Sequence, residues 1–247
     1  MVTTRPEDAD VPVPAAILWD MDGTIVDSEP YWMTAETELA RQHGVEWTHE
    51  HALLMVGNAL PVSAEILQRH GVDLGTREIV DTLTRRVVEQ TRESIPWRPG
   101  ARELLLDARS RGIPCALVTM SEEPFARAIV DALPEGTFDS VVTGDRVERG
   151  KPHPDAYELG FAELAERHPG LDPARTVAIE DSWPGYQAST AAGFPTVAVP
   201  LHAPLPEDPS RVEWDTLEGR SAADLARAVL PARDRAGDRA RERESAG

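Results

Sequence analysis

The chain has 247 residues, 41% of them hydrophobic and 28% charged, with a formal net charge of −18. That length holds one large domain or a domain with a small partner, and the acidic surplus argues against nucleic acid or an anionic membrane as a partner. One cysteine, Cys115, excludes an internal disulfide framework and fits a reducing compartment; the polar stretch 1–10 lacks the apolar core of a signal peptide and no apolar run reaches bilayer length, so a cytoplasmic protein, monomeric by default, is expected.

Residues 1–14 read as a flexible lead-in. The run Ala15-Ala16-Ile17-Leu18-Trp19 then ends abruptly in Asp20-Met21-Asp22-Gly23-Thr24. Apolar residues bounded by acids and glycine predict a buried strand, and its carboxyl end is where open parallel sheets place ligands. Strand alternation sends Trp19 to the face opposite Asp20, into the core. Glu29-Pro30 opens a helix through Tyr31, Ala35, Leu39 and Ala40 that stops at Gly44. Ala64 and Leu67, before the His70-Gly71 stop, mark another helix; Ile79, Leu83 and Val87 mark a third. No strand pattern falls between Ile25 and Pro96, so 28–96 reads as a small all-helical cap domain inserted after the first strand. His49-Glu50-His51 has the wrong spacing for two metal ligands on one helix face and reads as solvated cap residues.

From Trp97 the pattern alternates. Helices over Ala101–Ser110, Pro124–Ala132, Pro154–Arg167 and Pro184–Ala192 interleave with strands over Ile113–Val118, Ser140–Val142, Thr176–Ile179 and Thr196–Val199. A last helix runs Ser221–Leu230. Such alternation implies a parallel sheet with crossover helices, an α/β Rossmann-like doubly wound core over 15–27 and 97–230. Cys115, inside the second core strand, reads as a small buried residue. The stretch 231–247 alternates arginine with acids, has no large apolar residue, and reads as a disordered tail.

A parallel sheet brings its carboxyl ends to one edge, which here collects Asp20, Asp22, Thr119, Lys151, Glu180 and Asp181. Four carboxylates, a hydroxyl and an ammonium make a poor structural cluster and a good phosphoryl-transfer site. Mg²⁺ takes oxygen ligands from a few carboxylates, which Asp20, Asp181 and Glu180 can supply, with the Asp22 carbonyl as a further oxygen. An aspartate can attack phosphorus, and a second one kept protonated by neighbouring charge can serve the leaving alcohol and then water. Thr119 with the amides after it, including Met120, and Lys151 as a point charge can hold phosphoryl oxygens. At an effective dielectric near 20, a cation about 4 Å from a unit charge is worth roughly 4 kcal/mol, so a local metal and lysine outweigh a diffuse acidic surface.

These segments resemble the haloacid dehalogenase-like hydrolase superfamily, whose four motifs read here as Asp20-Met21-Asp22-Gly23-Thr24, Thr119, Lys151 and Glu180-Asp181. The continuations Asp27-Ser28-Glu29-Pro30, Gly150-Lys151-Pro152-His153-Pro154-Asp155 and Glu180-Asp181-Ser182 with Gly185 are similar to the helical-cap subgroup, which includes sugar-phosphate phosphatases and beta-phosphoglucomutases. The resemblance implies Asp20 as nucleophile and Asp22 as general acid/base. It implies Mg²⁺ on Asp20, the Asp22 carbonyl and Asp181, with Glu180 participating, and a small phosphorylated metabolite hydrolysed through an aspartyl-phosphate.

Rival functions leave their own marks. The mutase pattern carries an arginine shortly after a cap glycine, whereas Gly57 precedes Asn58-Ala59-Leu60-Pro61, which favours hydrolysis over phosphoryl transfer. A metal-free dehalogenase has no use for Asp22 and the Glu180-Asp181 pair, and intact motifs speak against a non-catalytic binding member. Gly144 to Gly150-Lys151 has the wrong spacing for a nucleotide loop, with Pro152 where Ser or Thr is needed. Asp27 is expected to tie down a turn and His153 to sit in a loop. Trp32 and Trp183 either line the pocket or pack. Tyr31, Glu36, His43, Asn58 and Arg69 are the cap candidates for specificity.

Overall fold

The computed structural model describes residues 12–55 and 59–230; most of the expected lead-in, the expected tail 231–247, and Gly57-Asn58 lie outside the described residues. Strand β1 (Ala16–Trp19) is wholly buried and central. It pairs in parallel with β2 (Cys115–Val118) on one side and β4 (Thr176–Glu180) on the other. Beyond β2 lies β3 (Ser140–Val142); beyond β4 lie β5 (Thr196–Ala198) and β6 (Val212–Glu213). The order β3-β2-β1-β4-β5-β6 is that of a Rossmann-like sheet. Two-sided burial explains why the strands read as unbroken apolar runs.

Alternation along each strand splits the core in two. Ala16, Leu18, Ala116, Val118 and Ala178 pack with Tyr157 and Leu164 of α7 (Asp155–Arg167) and Ala188 of α8 (Trp183–Ala191). Ile17, Trp19, Leu117, Val177 and Ile179 face the other layer, built by α5 (Ala101–Ser110), α6 (Glu123–Val130) and α9 (Ala222–Val229). Trp19 is thus core, and so is Cys115, whose thiol burial pushes up to about 12. The chain winds from β1 out to β3, returns to β4 beside β1, and continues to β6. That reversal opens a crevice at the carboxyl ends of β1 and β4.

Between β1 and α5 the described residues form α1 (Glu29–Gln42), α2 (His49–Leu53), α3 (Leu60–Arg69) and α4 (Thr76–Glu93). Pro30 sits in the first turn of α1, where its missing N–H costs nothing. The insert rests on the sheet layer through α4 against α6, an edge-to-face pair between Trp32 and Phe125 (5.8 Å between centroids), and an exposed Arg77–Glu122 ion pair. Two elements escape the sequence reading. In α2, Thr48 caps the helix while the His51 ring accepts from the Thr48 N–H at 3.1 Å, in place of the usual Glu or Gln. Strand β6 is too short to show a period. Among the described residues no helix is long and apolar enough to cross a membrane.

Candidate active site

The ends of β1, β2 and β4 and the loop before α7 converge on a cavity of about 400 Å³, roofed by the helical insert. Asp20 is the first residue past β1, and Lys151 reaches it from that loop. The Lys151 Nζ donates to Asp20 Oδ1 at 2.7 Å, to Glu180 Oε1 at 2.6 Å and to the Val118 carbonyl at 2.9 Å. Those acceptors match the three hydrogens of an ammonium. From α7, the Tyr157 hydroxyl donates to the same Glu180 oxygen at 2.6 Å, with its ring centroid 5.1 Å from Nζ.

Asp20 Oδ2, by contrast, is buried without a partner. One carboxylate oxygen from each of Asp20, Glu180 and Asp181 lies within 4.8 Å of the others. Two glycines keep that space open. A Cβ on Gly23, where φ is +82°, would lie 2.0 Å from Asp181 Oδ2, and one on Gly185 would lie 2.0 Å from the Glu180 carboxylate. An orphaned buried oxygen among clustered carboxylates suits a hard divalent cation.

Asp22 is held differently. Ser28 Oγ donates to its Oδ1 at 2.5 Å, and Ser121 Oγ and Thr119 Oγ1 donate to its Oδ2 at 2.7 and 3.0 Å. Burial raises the Asp22 pKa, the Ser28 hydrogen bond works against that, and the Asp20 charge adds to it. Burial and then the charges of Asp20 and Glu180 hold Asp181 well above the usual carboxylate range. Burial and Asp20 likewise raise Glu180, against the pull of Lys151. Burial disfavours the Lys151 ammonium, yet Asp20 and Glu180 outweigh it and the net shift is upward. The site is therefore overcharged with carboxylate, which a cation or a shared proton relieves.

Asp20, Asp22, Met120, Lys151 and Asp181 line the cavity, whereas Thr119 and Glu180 are wholly buried behind its wall. The Thr119 hydroxyl is turned to Asp22, and Ser121 takes the wall position. Met120 Sδ accepts from the Lys151 N–H at 3.3 Å. Ser28, Ser121, Tyr157 and Arg98 were not singled out from the sequence. Ser28 could have been found as the residue before the Glu29-Pro30 helix start, and Ser121 as the next same-face position after Thr119. Arg98 gave no signal: its buried guanidinium donates to the Gly23 and Val199 carbonyls, partners that only the fold assembles.

Asp27 ties its loop to His202, at 2.8 Å. Trp32 both packs on Phe125 and lines the cavity; Trp183 lines it while stacked on Tyr186. Of the described cap candidates, Glu36 lines the cavity and Tyr31, His43 and Arg69 do not. His153 is exposed in its loop and also stands outside the lining. Neither His49 nor His51 belongs to the carboxylate cluster that could hold a metal.

Comparison with known proteins places this geometry among related chains. The family described as "haloacid dehalogenase-like hydrolase" matches residues 14–193. Hexitol phosphatase A of Escherichia coli (strain K12) is 37% identical over 191 residues, covering 76% of this chain and 84% of that one. The phosphorylated carbohydrates phosphatase of Thermotoga maritima is 29% identical over 197 residues, covering 76% and 86%. The crystal structure of CbbY from Rhodobacter sphaeroides in complex with phosphate superposes with a TM-score of 0.73 at 29% identity, covering 86% of this chain and 99% of that one.

Proposed function

The chain belongs to the haloacid dehalogenase-like hydrolases, and on that footing we propose that it is a Mg²⁺-dependent phosphatase of a small phosphorylated sugar or polyol, acting through an aspartyl-phosphate on Asp20. The observation that carries this is the state of Asp20: Oδ1 is fixed by Lys151 while Oδ2 is buried and unpartnered at the cavity floor. The names of relatives support the substrate class, since they are phosphatases of hexitols and phosphorylated carbohydrates.

Asp20, Asp181 and Glu180, with the Asp22 carbonyl, would hold Mg²⁺, which supplies positive charge against the phosphoryl oxygens. The chain's own residues do the rest. An Asp20 oxygen forms a bond to phosphorus as the bond from phosphorus to the ester oxygen breaks. Asp22, its pKa raised by burial and by Asp20, gives a proton to the departing alkoxide. In the second step Asp22 takes a proton from water, the water oxygen attacks phosphorus, and the bond to Asp20 breaks to release phosphate. Lys151 fixes Asp20 throughout and keeps Glu180 from repelling it. The helical insert acts as a cap that excludes bulk water during transfer.

The test is release of inorganic phosphate from sorbitol 6-phosphate and glucose 6-phosphate by the purified protein, with and without chelation. Turnover lost on chelation and restored by Mg²⁺ is expected; turnover indifferent to chelation overturns the metal dependence. Conversion of beta-glucose 1-phosphate to glucose 6-phosphate without phosphate release would make the protein a mutase instead.

A further inference from the structure

Helix α1 stands over the site like a ruler. Its N-cap Ser28 donates to Asp22, and Trp32 and Glu36 follow on the same face at i+4 and i+8, all lining the cavity. A little over two helical turns separate Ser28 from Glu36, about 12 Å along the axis, which suits an extended phosphorylated chain rather than a short one. Glu36 is 3% exposed, and its Oε2 is buried with no partner. A buried carboxyl without a partner is costly and is not kept for stability. The same roof lining carries the apolar side chains of Trp32, Met55 and Leu60 and the hydroxyl of Ser63.

Cations are scarce there. Among the described lining residues the basic side chains are Lys151, already committed to Asp20, Glu180 and the Val118 carbonyl, and His202, paired with Asp27. Glu29 adds a second carboxyl to the same roof.

We propose that Glu36 is a specificity-determining residue whose free carboxyl oxygen binds hydroxyl groups at the end of the substrate remote from the phosphate, so that the cavity takes a polyol monophosphate and rejects a bisphosphate. This rests on the phosphatase function proposed above for the substrate's orientation. A diol or polyol can both donate to a carboxyl and accept from it, satisfying the orphaned oxygen. A second phosphate would instead enter a roof whose described lining offers two carboxyls and no free cation, losing its hydration without replacement.

Binding and turnover separate the two claims. Calorimetric titration in the Asp20→Asn background gives Kd for sorbitol 6-phosphate, fructose 1,6-bisphosphate and inorganic phosphate. The bisphosphate is expected to bind at least about tenfold more weakly than sorbitol 6-phosphate. Adding Glu36→Leu should raise the sorbitol 6-phosphate Kd about tenfold relative to that of inorganic phosphate, and Glu36→Gln should recover most of the loss. Glu36→Leu fills the site with apolar volume, so Tm should rise as affinity falls, a pairing that a structural role does not produce. An unchanged ratio in Glu36→Leu, or a bisphosphate bound as tightly as the monophosphate, overturns the assignment. Phosphate release by the otherwise native chain is read separately: a chain that binds as described yet releases no phosphate removes the phosphatase function and leaves the role of Glu36 standing.

Discussion

At the floor of the cavity Asp22 accepts from three hydroxyls and Glu180 from Lys151, Tyr157 and Ser182, while in the roof Glu36 buries an oxygen that accepts from nothing. The floor is assembled from strand ends and loops held by the sheet, so Asp22 and Glu180 are oriented before any ligand arrives, and Asp20 Oδ2 is left open toward one. The roof is assembled from one face of α1 and the helices beside it, so its polar group waits for a ligand. Chemistry is thus prebuilt on the rigid layer and recognition deferred to the inserted one, a division that fits preorganised electrostatics in catalysis and hydrogen bonds spent on specificity.

The largest effect belongs to Asp20, whose Oδ2 is buried without a partner. Asp20→Asn should lower phosphate release by at least about four orders of magnitude, or about 5–6 kcal/mol of barrier, because an amide is a poor nucleophile and leaves Lys151 less well paired. Residual turnover within tenfold of the native chain would take nucleophilic attack away from Asp20.

Next is the rigidity of the floor itself. Arg98 donates to the Gly23 carbonyl and, at 2.6 Å, to the Val199 carbonyl, pinning the loop that carries Asp22. Arg98→Ala strands two buried acceptors and should cost about 3 kcal/mol, read as a drop of about 8 °C in Tm. A change near zero would mean that the floor does not need this clasp and is no more rigid than the roof.

Ser121→Ala probes the same loop more gently. It removes one charge-assisted donor from Asp22, and kcat should fall about thirtyfold, near 2 kcal/mol. Hydrogen bonds from Ser28, Ser121 and Thr119 lower a pKa that burial and Asp20 raise. Losing one moves the Asp22 titration, and the corresponding limb of the pH–rate profile, to higher pH. A shift to lower pH would remove Asp22 from the proton transfers.

The floor was more legible in the sequence than the roof for a physical reason. Strand ends carry Asp20, Asp22, Glu180 and Asp181, the loop before α7 brings Lys151, and a parallel sheet fixes where strand ends go, so motifs far apart in sequence point to one site. Tyr157 and Arg98 stayed hidden because their partners, a carboxylate from β4 and two loop carbonyls, are set by tertiary approach alone. In the roof, amphipathic spacing gave the longer helices but not the orientation of the insert over the sheet. By sequence Glu36 is one of five cap candidates, and only the direction of α1 in the fold brings it to the cavity. Both α2 and β6 were missed because neither spans enough residues to show a period.

The smallest effect concerns the roof carboxyl without ligand. Burial, and secondarily the Glu29 charge, push Glu36 from 4.5 up to about 8. In the folded chain it therefore keeps a proton that the unfolded chain releases above its ordinary value. The folded state binds more protons there between those two values, so the stability that Glu36 contributes is greatest at the acidic end, is lost as pH rises from about 4.5 to 8, and levels off above. The full shift sets a ceiling of about 5 kcal/mol; relaxation and water entering the cavity bring the expected change to about 1.5 kcal/mol. Urea unfolding at pH 5.5 and pH 8.5 reads it directly, because Glu36→Gln cannot ionise and should flatten the difference by that amount. Subtracting one chain from the other isolates the contribution of Glu36. Equal pH dependence in the two chains would mean that Glu36 is hydrated or paired in solution. The roof carboxyl would then be partnered before any ligand arrives, as Asp22 and Glu180 are.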